Sequence, residues 1–474
     1  LAYWRPLRYQ TKRVMQTLGD GINTAVPPFD IEDGENTYHR ELDSRDYPAL
    51  SVRPGRSTYG TAGTTSPFGL GKREDSYLHA IDNNTWRYWN SATTAWVNIT
   101  TGLSSTEGRI EEYADGTNRY TILMNSSQKK IWDGTSTALN FGDTNTPDTK
   151  YFCVHKQRVY AIDNDNGLSI GFSALDLPND WTTADDSGSI RITNAAGNGT
   201  AIVTYGDHVI CFTEHSMHEL YGTGPDNYEL IDVGGAVGCI SDRSVVACQG
   251  KLYWAAYDGF YQYAGGLPRK VSDAVNAYWD DINFTYRAKI ASGSVEEYIY
   301  VAIPYGSAAT ANNLILKYDT RLGKWYIETG NFVDFVRIGN VLYGVDKDGA
   351  YWNMRDEDAT ADSTTPISWS WISKPFHENA VEGKKTLSEM WLVVDRSTGS
   401  TSFSIGFSTN VHNNDSTSFT TITSTVGASS NIQNVRHLIP SSDLQDVNWY
   451  RLRLAGTGQT KVHYLQKNFR VKPR

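Results

Sequence analysis

Apolar and polar positions along the chain repeat one arrangement: a short apolar or aromatic run, a polar turn, then a return run in which aromatics alternate with polar residues. The stretch "KLYWAAYDGFYQYAGG" (Lys251 to Gly266) shows it most fully. Leu252 to Ala256 suit a strand packed on both faces, Asp258-Gly259 supplies a turn, and Tyr261 and Tyr263 flank Gln262 on the way back. Asp-Gly signals a hairpin because the tight turn places positive φ at both central positions, which these residues tolerate. The layout recurs in Ser76 to Thr100, Asn118 to Asn140, Gln157 to Ala174, Asp207 to Gly222, Glu296 to Gly330 and Asn340 to Met354, which makes seven copies with the first.

The centres of these hairpins lie on the order of forty residues apart, the period of four-stranded propeller blades. One such sheet cannot bury both faces alone, so the blades stack around an axis, with return-strand aromatics filling the wedges. The expected fold is all-β: a β-propeller of six or seven blades over residues 47–355. The polar linker "RDEDATADSTTP" (Arg355 to Pro366) then opens a β-sandwich-like platform module over residues 356–474. Its runs "ISWSWIS", "SEMWLVVD", "TSFSIGFST", "TSFTTIT", "NWYRLRLA" and "KVHYLQKNFRVK" alternate as strands with one wet face do. Residues 1–46 are an N-terminal arm and part of the platform.

Composition agrees. Trp 14, Tyr 29, Phe 15 and Gly 41, with only 20% charged residues, favour strands and turns over helices. No apolar run is long enough to span a membrane, and no secretory leader is visible in a chain that opens at Leu1 rather than Met. Cys153, Cys211, Cys239 and Cys248 lack CxxC spacing and read as buried thiols, with a Cys239–Cys248 bridge across a hairpin as the alternative.

Charge is uneven. Arg5, Arg8, Lys12 and Arg13 stand near the start with no acid among them. From Asn431 onward, Arg436, Arg451, Arg453, Lys461, Lys467, Arg470, Lys472 and Arg474 face only Asp443 and Asp446. The formal net charge is −10, so the body between these basic ends is strongly acidic. Such a body repels polyanions, while the ends suit an acidic partner.

Candidate chemistry is sparse. "DNDNG" (Asp163 to Gly167) opens like a calcium loop, but Ala174 stands where a bidentate Glu is required, so it reads as a hairpin tip. "GLGKRE" (Gly69 to Glu74) lacks the spacing of a phosphate loop. His208, His215 and His218 cluster without a matching carboxylate or Cys set. No full sialidase-type Ser-x-Asp-x-Gly-x-x-Trp box and no Gly-x-Ser-x-Gly elbow occurs. The sequons at Asn98, Asn198 and Asn283 matter only in a eukaryotic secretory protein. No catalytic, cofactor or metal residue is assigned, and the expectation is that the protein is not an enzyme.

Three stretches carry a family resemblance: "SRDYPALSVRPGRSTYG" (Ser44 to Gly60), "YGDHVICFTEHSMHELYGTG" (Tyr205 to Gly224) followed by "GGAVGCISDRSVVACQGKLYWAAYDG" (Gly234 to Gly259), and the closing "WYRLRLAGTGQTKVHYLQKNFRVK". In layout and order they resemble the tail-hub proteins of short-tailed phages, also called tail-nozzle or packaged-DNA stabilisation proteins. The resemblance implies a virion tail protein that forms a ring, usually of six subunits, below the portal and adaptor. That ring retains packaged DNA and forms the ejection channel, with tail fibres or tailspikes as further partners and DNA passing without specific binding. It also puts the chain ends at the platform, which makes Arg5, Arg8, Arg451, Arg453, Lys467 and Arg470 the expected docking residues. The competing expectation is an extracellular glycan-binding or glycan-cleaving propeller, in which Trp86, Trp89 and Trp96 would stack on sugar rings.

Overall fold

Seven antiparallel four-stranded sheets succeed one another along the middle of the chain. The computed structural model describes residues 11–472 except 64–66, 105–106, 166, 379–380, 397–401, 412–417, 423–425, 427–428 and 441–442. Counting from the innermost strand, blade 1 begins at Pro67–Arg73, blade 2 at Gly108–Ala114, blade 3 at Phe152–His155 and blade 4 at Gly199–Tyr205. Blades 5, 6 and 7 begin at Val246–Cys248, Ala291–Val295 and Phe332–Ile338. The seven hairpins read from the sequence form the middle of the seven blades, so the blade number is seven.

Burial between blades makes the ring. Trp86, Ile99, Ile110, Leu123 and Trp132 join blades 1 and 2, and comparable apolar clusters join each later pair. Leu70, Leu78 and Trp89 of blade 1 pack against Val345 and Tyr351 of blade 7, which closes the circle. Across the same seam the Leu70 amide donates to Asp334 Oδ2 at 2.9 Å. Closure is also topological: the outermost strand of blade 7 is Gly55–Thr58, from the N-terminal side of the propeller, paired with Tyr351–Asp356.

The turn chemistry differs from the Asp-Gly expectation at one place. In the Lys251–Tyr263 hairpin, Ala256 pairs with Gly259, so the two-residue turn is Tyr257-Asp258, and neither has positive φ. Gly259 starts the return strand, where an added Cβ would lie 2.4 Å from Lys270 Cε. Paired positive φ angles fall instead at Glu74-Asp75, Asn83-Asn84, Lys156-Gln157 and Gln249-Gly250.

The second unit is a two-sheet sandwich. One sheet orders Leu42–Asp43, Leu50–Val52, Lys461–Lys472, Lys384–Arg396 and Ser429–Leu438, with Thr11–Met15 also paired to Lys461–Lys472. The other orders Asn36–Arg40, Ser368–Ser373, Arg451–Thr457, Ser402–Ser408 and Thr420–Ile422. Trp371, Met390, Leu392, Leu452, Leu454 and Leu465 meet between them. Arm residues therefore supply strands to both sheets, and Leu50–Val52 belongs to the sandwich.

Candidate functional site

The chain ends meet. Thr11–Met15 lies antiparallel to Lys461–Lys472, with Arg13 opposite Lys467. The expected docking residues nevertheless do not share a surface, because strand alternation sends them to different faces. Arg5 and Arg8 lie outside the described residues. Leu452 and Leu454 point into the core, so Arg451 and Arg453 take the outside of the five-stranded sheet.

There Arg451 is fully buried. Its guanidinium donates to the carbonyls of Ser373, Asn410 and Val411, each at 3.3 Å, and to the Thr37 hydroxyl. Burial pushes its pKa down to about 10. Arg453 is half-buried.

Lys467 points between the sheets. It has no exposed surface, its Nζ sits 3.2 Å above the Phe376 ring centroid, and it donates to Glu378 Oε1 at 2.7 Å. Burial pushes this ammonium down to about 7. Glu378 also accepts from the Tyr450 hydroxyl at 2.5 Å and from Arg13 at 3.2 Å, so one carboxylate ties the arm strand to the sandwich. Arg470 is half-exposed on the outside of the six-stranded sheet. Assigning Arg451 and Lys467 to a docking surface is thus corrected: both are internal ties.

Between propeller and sandwich lies a cluster the sequence reading missed. Lys317, in the apolar strand Leu314–Asp319 of blade 6, is fully buried and donates to Asp43 Oδ2 at 2.7 Å and to Glu328. Arg355 of blade 7 reaches the same Asp43 oxygen at 2.8 Å. Arg56 donates to Glu328 Oε2 at 2.5 Å. Arg53 donates to Glu41 at 2.5 Å and forks onto both oxygens of Asp362, at 2.8 and 2.6 Å. Four cations thus meet four carboxylates, and Arg355 also lies 2.6 Å from the exposed carboxylate of Glu357.

Burial alone would raise the Asp43 carboxyl, but Lys317 and Arg355 outweigh it and hold the group well below the usual range. Burial likewise opposes the Lys317 charge, and Asp43 and Glu328 overcome that and hold its pKa well above normal. A charged residue inside an apolar run ("LILKYD", "WYIET") was the available signal.

Backbone contacts complete the clasp. The Glu41 amide donates to Ile327 O at 2.8 Å, and the Ile327 amide donates to His39 Nε2 at 2.8 Å. His39 Nε2 is therefore an acceptor, which leaves the ring proton on Nδ1, 2.9 Å from Asn36 Oδ1. Burial, with Lys317 nearby, pushes His39 down to about 3.

At the propeller axis, Arg109 from blade 2 donates to Asp242 O at 3.2 Å, and its Nε lies 3.5 Å from Asp242 Oδ2, beside the inner strand of blade 5. Lys150, entering blade 3, binds Glu107 at 2.9 Å and lies 4.0 Å from Asp242. Blades 2 and 5 are not neighbours, so these groups cross the axis. Burial raises Glu111 on the same inner strand, opposed by Arg109 and Lys72.

The remaining sequence candidates are taken up by packing. His208 Nε2 lies 3.0 Å from Glu219, His218 lies 2.9 Å from Ser216 Oγ, and His215 stacks on Tyr257, so the three do not converge. All four cysteines are free and buried. Trp86 and Trp89 are buried between blades, and Trp96 packs on Tyr351 at 4.7 Å and donates to Thr61 O.

No protein-family model matches the chain, and no curated protein matches it in sequence. Among solved structures, virginiamycin B lyase from Staphylococcus aureus is similar at 10% identity and TM-score 0.44, covering 63% of this chain and 98% of that one. The extracellular domain of a putative hybrid two-component system from B. thetaiotaomicron is similar at 8% identity and TM-score 0.42, covering 65% of this chain and 41% of that one. At such identities and scores neither likeness carries an argument about this chain.

Proposed function

We propose that the protein is a non-enzymatic structural subunit of a phage tail. It acts as a hub or nozzle whose copies form a ring below the portal and adaptor proteins, retain packaged DNA and enclose its exit channel. The observation that carries this reading is the clasp. The arm enters both sandwich sheets, runs along blade 6 and then closes blade 7, with six buried charged groups and the half-buried Arg355 and Asp362 paired where the units meet. A propeller fastened in this way transmits load through its platform instead of swinging on a linker.

Two further features support it. Pairing of Arg109 and Lys150 with Asp242 across the propeller axis leaves the DNA path between subunits, where heterologous contacts repeated by a fixed rotation close a ring. A net charge of −10 limits phosphate affinity that would stall passage. Tail fibres or tailspikes are further partners in this reading. Immunogold labelling with an antibody against the propeller tests it on particles released by the source culture. Label on short tails is expected, and label confined to cell envelopes or free protein would favour the extracellular propeller instead.

A further inference from the structure

The outside of the six-stranded sheet carries an ordered set of side chains that neither the clasp nor the core uses. Strand register arranges them in rows: Asn434, Val393 and Tyr464; then Arg436, Trp391, Gln466 and Val14; then Glu389, Asn468 and Lys12. All of these but Arg436, together with Gln16, line an open groove of about 550 Å³, within the range of roughly 300–1,000 Å³ typical of small-ligand sites. Tyr464 is 42% exposed and Val14 50% exposed. Trp391 and Tyr464 are diagonal cross-strand neighbours, about 7–8 Å apart by sheet geometry.

The polar groups are fixed in advance. Gln466 donates to Asn468 Oδ1 at 3.1 Å, Asn468 donates to Glu389, and Arg436 donates to Glu389 Oε2 at 2.6 Å. The Trp391 indole N–H faces Glu389 Oε1 at 3.5 Å, while the Arg436 guanidinium sits 5.7 Å from the indole centroid. Glu389 is thereby neutralised, and the amides offer both donors and acceptors.

We infer that this groove binds a neutral saccharide, with its C–H faces against Trp391 and Tyr464 and its hydroxyls against Gln466, Asn434 and the Glu389–Asn468 pair. An anion is disfavoured because Arg436 is engaged by Glu389, whose carboxylate lines the groove and offsets the charge of Lys12. A protein partner is disfavoured because the floor is amide-rich, whereas protein hot spots centre on desolvated apolar anchors. The site is independent of the tail assignment.

The test is isothermal titration of the full chain with α- and β-linked glucan, galactan and mannan oligosaccharides, alongside affinity electrophoresis in gels containing the matching polysaccharides. At least one neutral glycan should bind. Trp391→Ala and Tyr464→Ala should each weaken it at least tenfold, and Glu389→Gln should weaken it without changing the circular dichroism or melting temperature. Absence of binding to every glycan, or binding unchanged in Trp391→Ala and Tyr464→Ala, overturns the inference. So does a Trp391→Ala chain that is folded but fails to assemble while the wild type shows no sugar affinity, because that assigns the face to a protein interface.

Discussion

Replacing Lys317 by Met removes one cation from the clasp while keeping a side chain of similar length. Breaking one partner of a buried ion pair costs about 3–5 kcal/mol, because the opposite charge stays buried without its counterion. Here Asp43 keeps Arg355 at 2.8 Å and Glu328 keeps Arg56 at 2.5 Å, which places the expected loss near the lower end, about 3 kcal/mol. Units of 150–250 residues shift by about 2–4 °C per kcal/mol, so the sandwich with its arm should melt roughly 6–12 °C lower. Differential scanning calorimetry should show the sandwich transition separating from the propeller transition. The control is Arg119→Ala, which breaks a half-exposed pair with Glu112 at 3.0 Å and should cost about 0–1 kcal/mol. A Lys317→Met chain as stable as the control, with both units still melting together, would refute the claim that these charges fasten propeller to sandwich.

Two other outcomes follow from the same geometry. Arg451→Glu should destabilise the sandwich by several kcal/mol in urea melts, since a carboxylate would then face the Ser373, Asn410 and Val411 carbonyls; Arg470→Glu should leave stability within about 0.5 kcal/mol. His39 has a folded pKa of about 3, below its ordinary value, so the unfolded chain takes up the proton first. Its contribution is complete above about pH 6.5 and is lost as pH falls toward 3. Relative to His39→Gln, the wild type should therefore lose stability between pH 6.5 and 4 and hold a constant difference above pH 7, read from urea melts at each pH.

Much of the propeller was legible in the sequence because its blades repeat one local pattern: an apolar strand, a polar turn and an aromatic return. Seven such hairpins became the centres of seven blades. Closure by Gly55–Thr58 was not legible, since four residues far from Tyr351–Asp356 in sequence carry no periodic signal. Ser429–Leu438 escaped for a related reason: with Asn431, Gln433 and Asn434 in it, the strand lacks apolar alternation. Charge clustering located the basic ends, and the structure pairs them, but net charge does not encode facing. Arg451 and Lys467 read like surface cations, but register turns Lys467 inward and the Ser373, Asn410 and Val411 carbonyls cover Arg451 on the outer face of its sheet. The clasp depends on contacts spanning as many as 312 positions, as between Arg355 and Asp43, which only the folded chain brings together.

Cryo-electron microscopy of isolated tail complexes decides whether the chain is, as proposed, a rigid ring-forming subunit of a tail. The expected result is a closed ring of identical copies, six in the proposed assembly, with each propeller clamped to its sandwich through Lys317 and Asp43. DNA should run along the ring axis between subunits. One copy per particle, or DNA density threading the propeller where Arg109 meets Asp242, would contradict it.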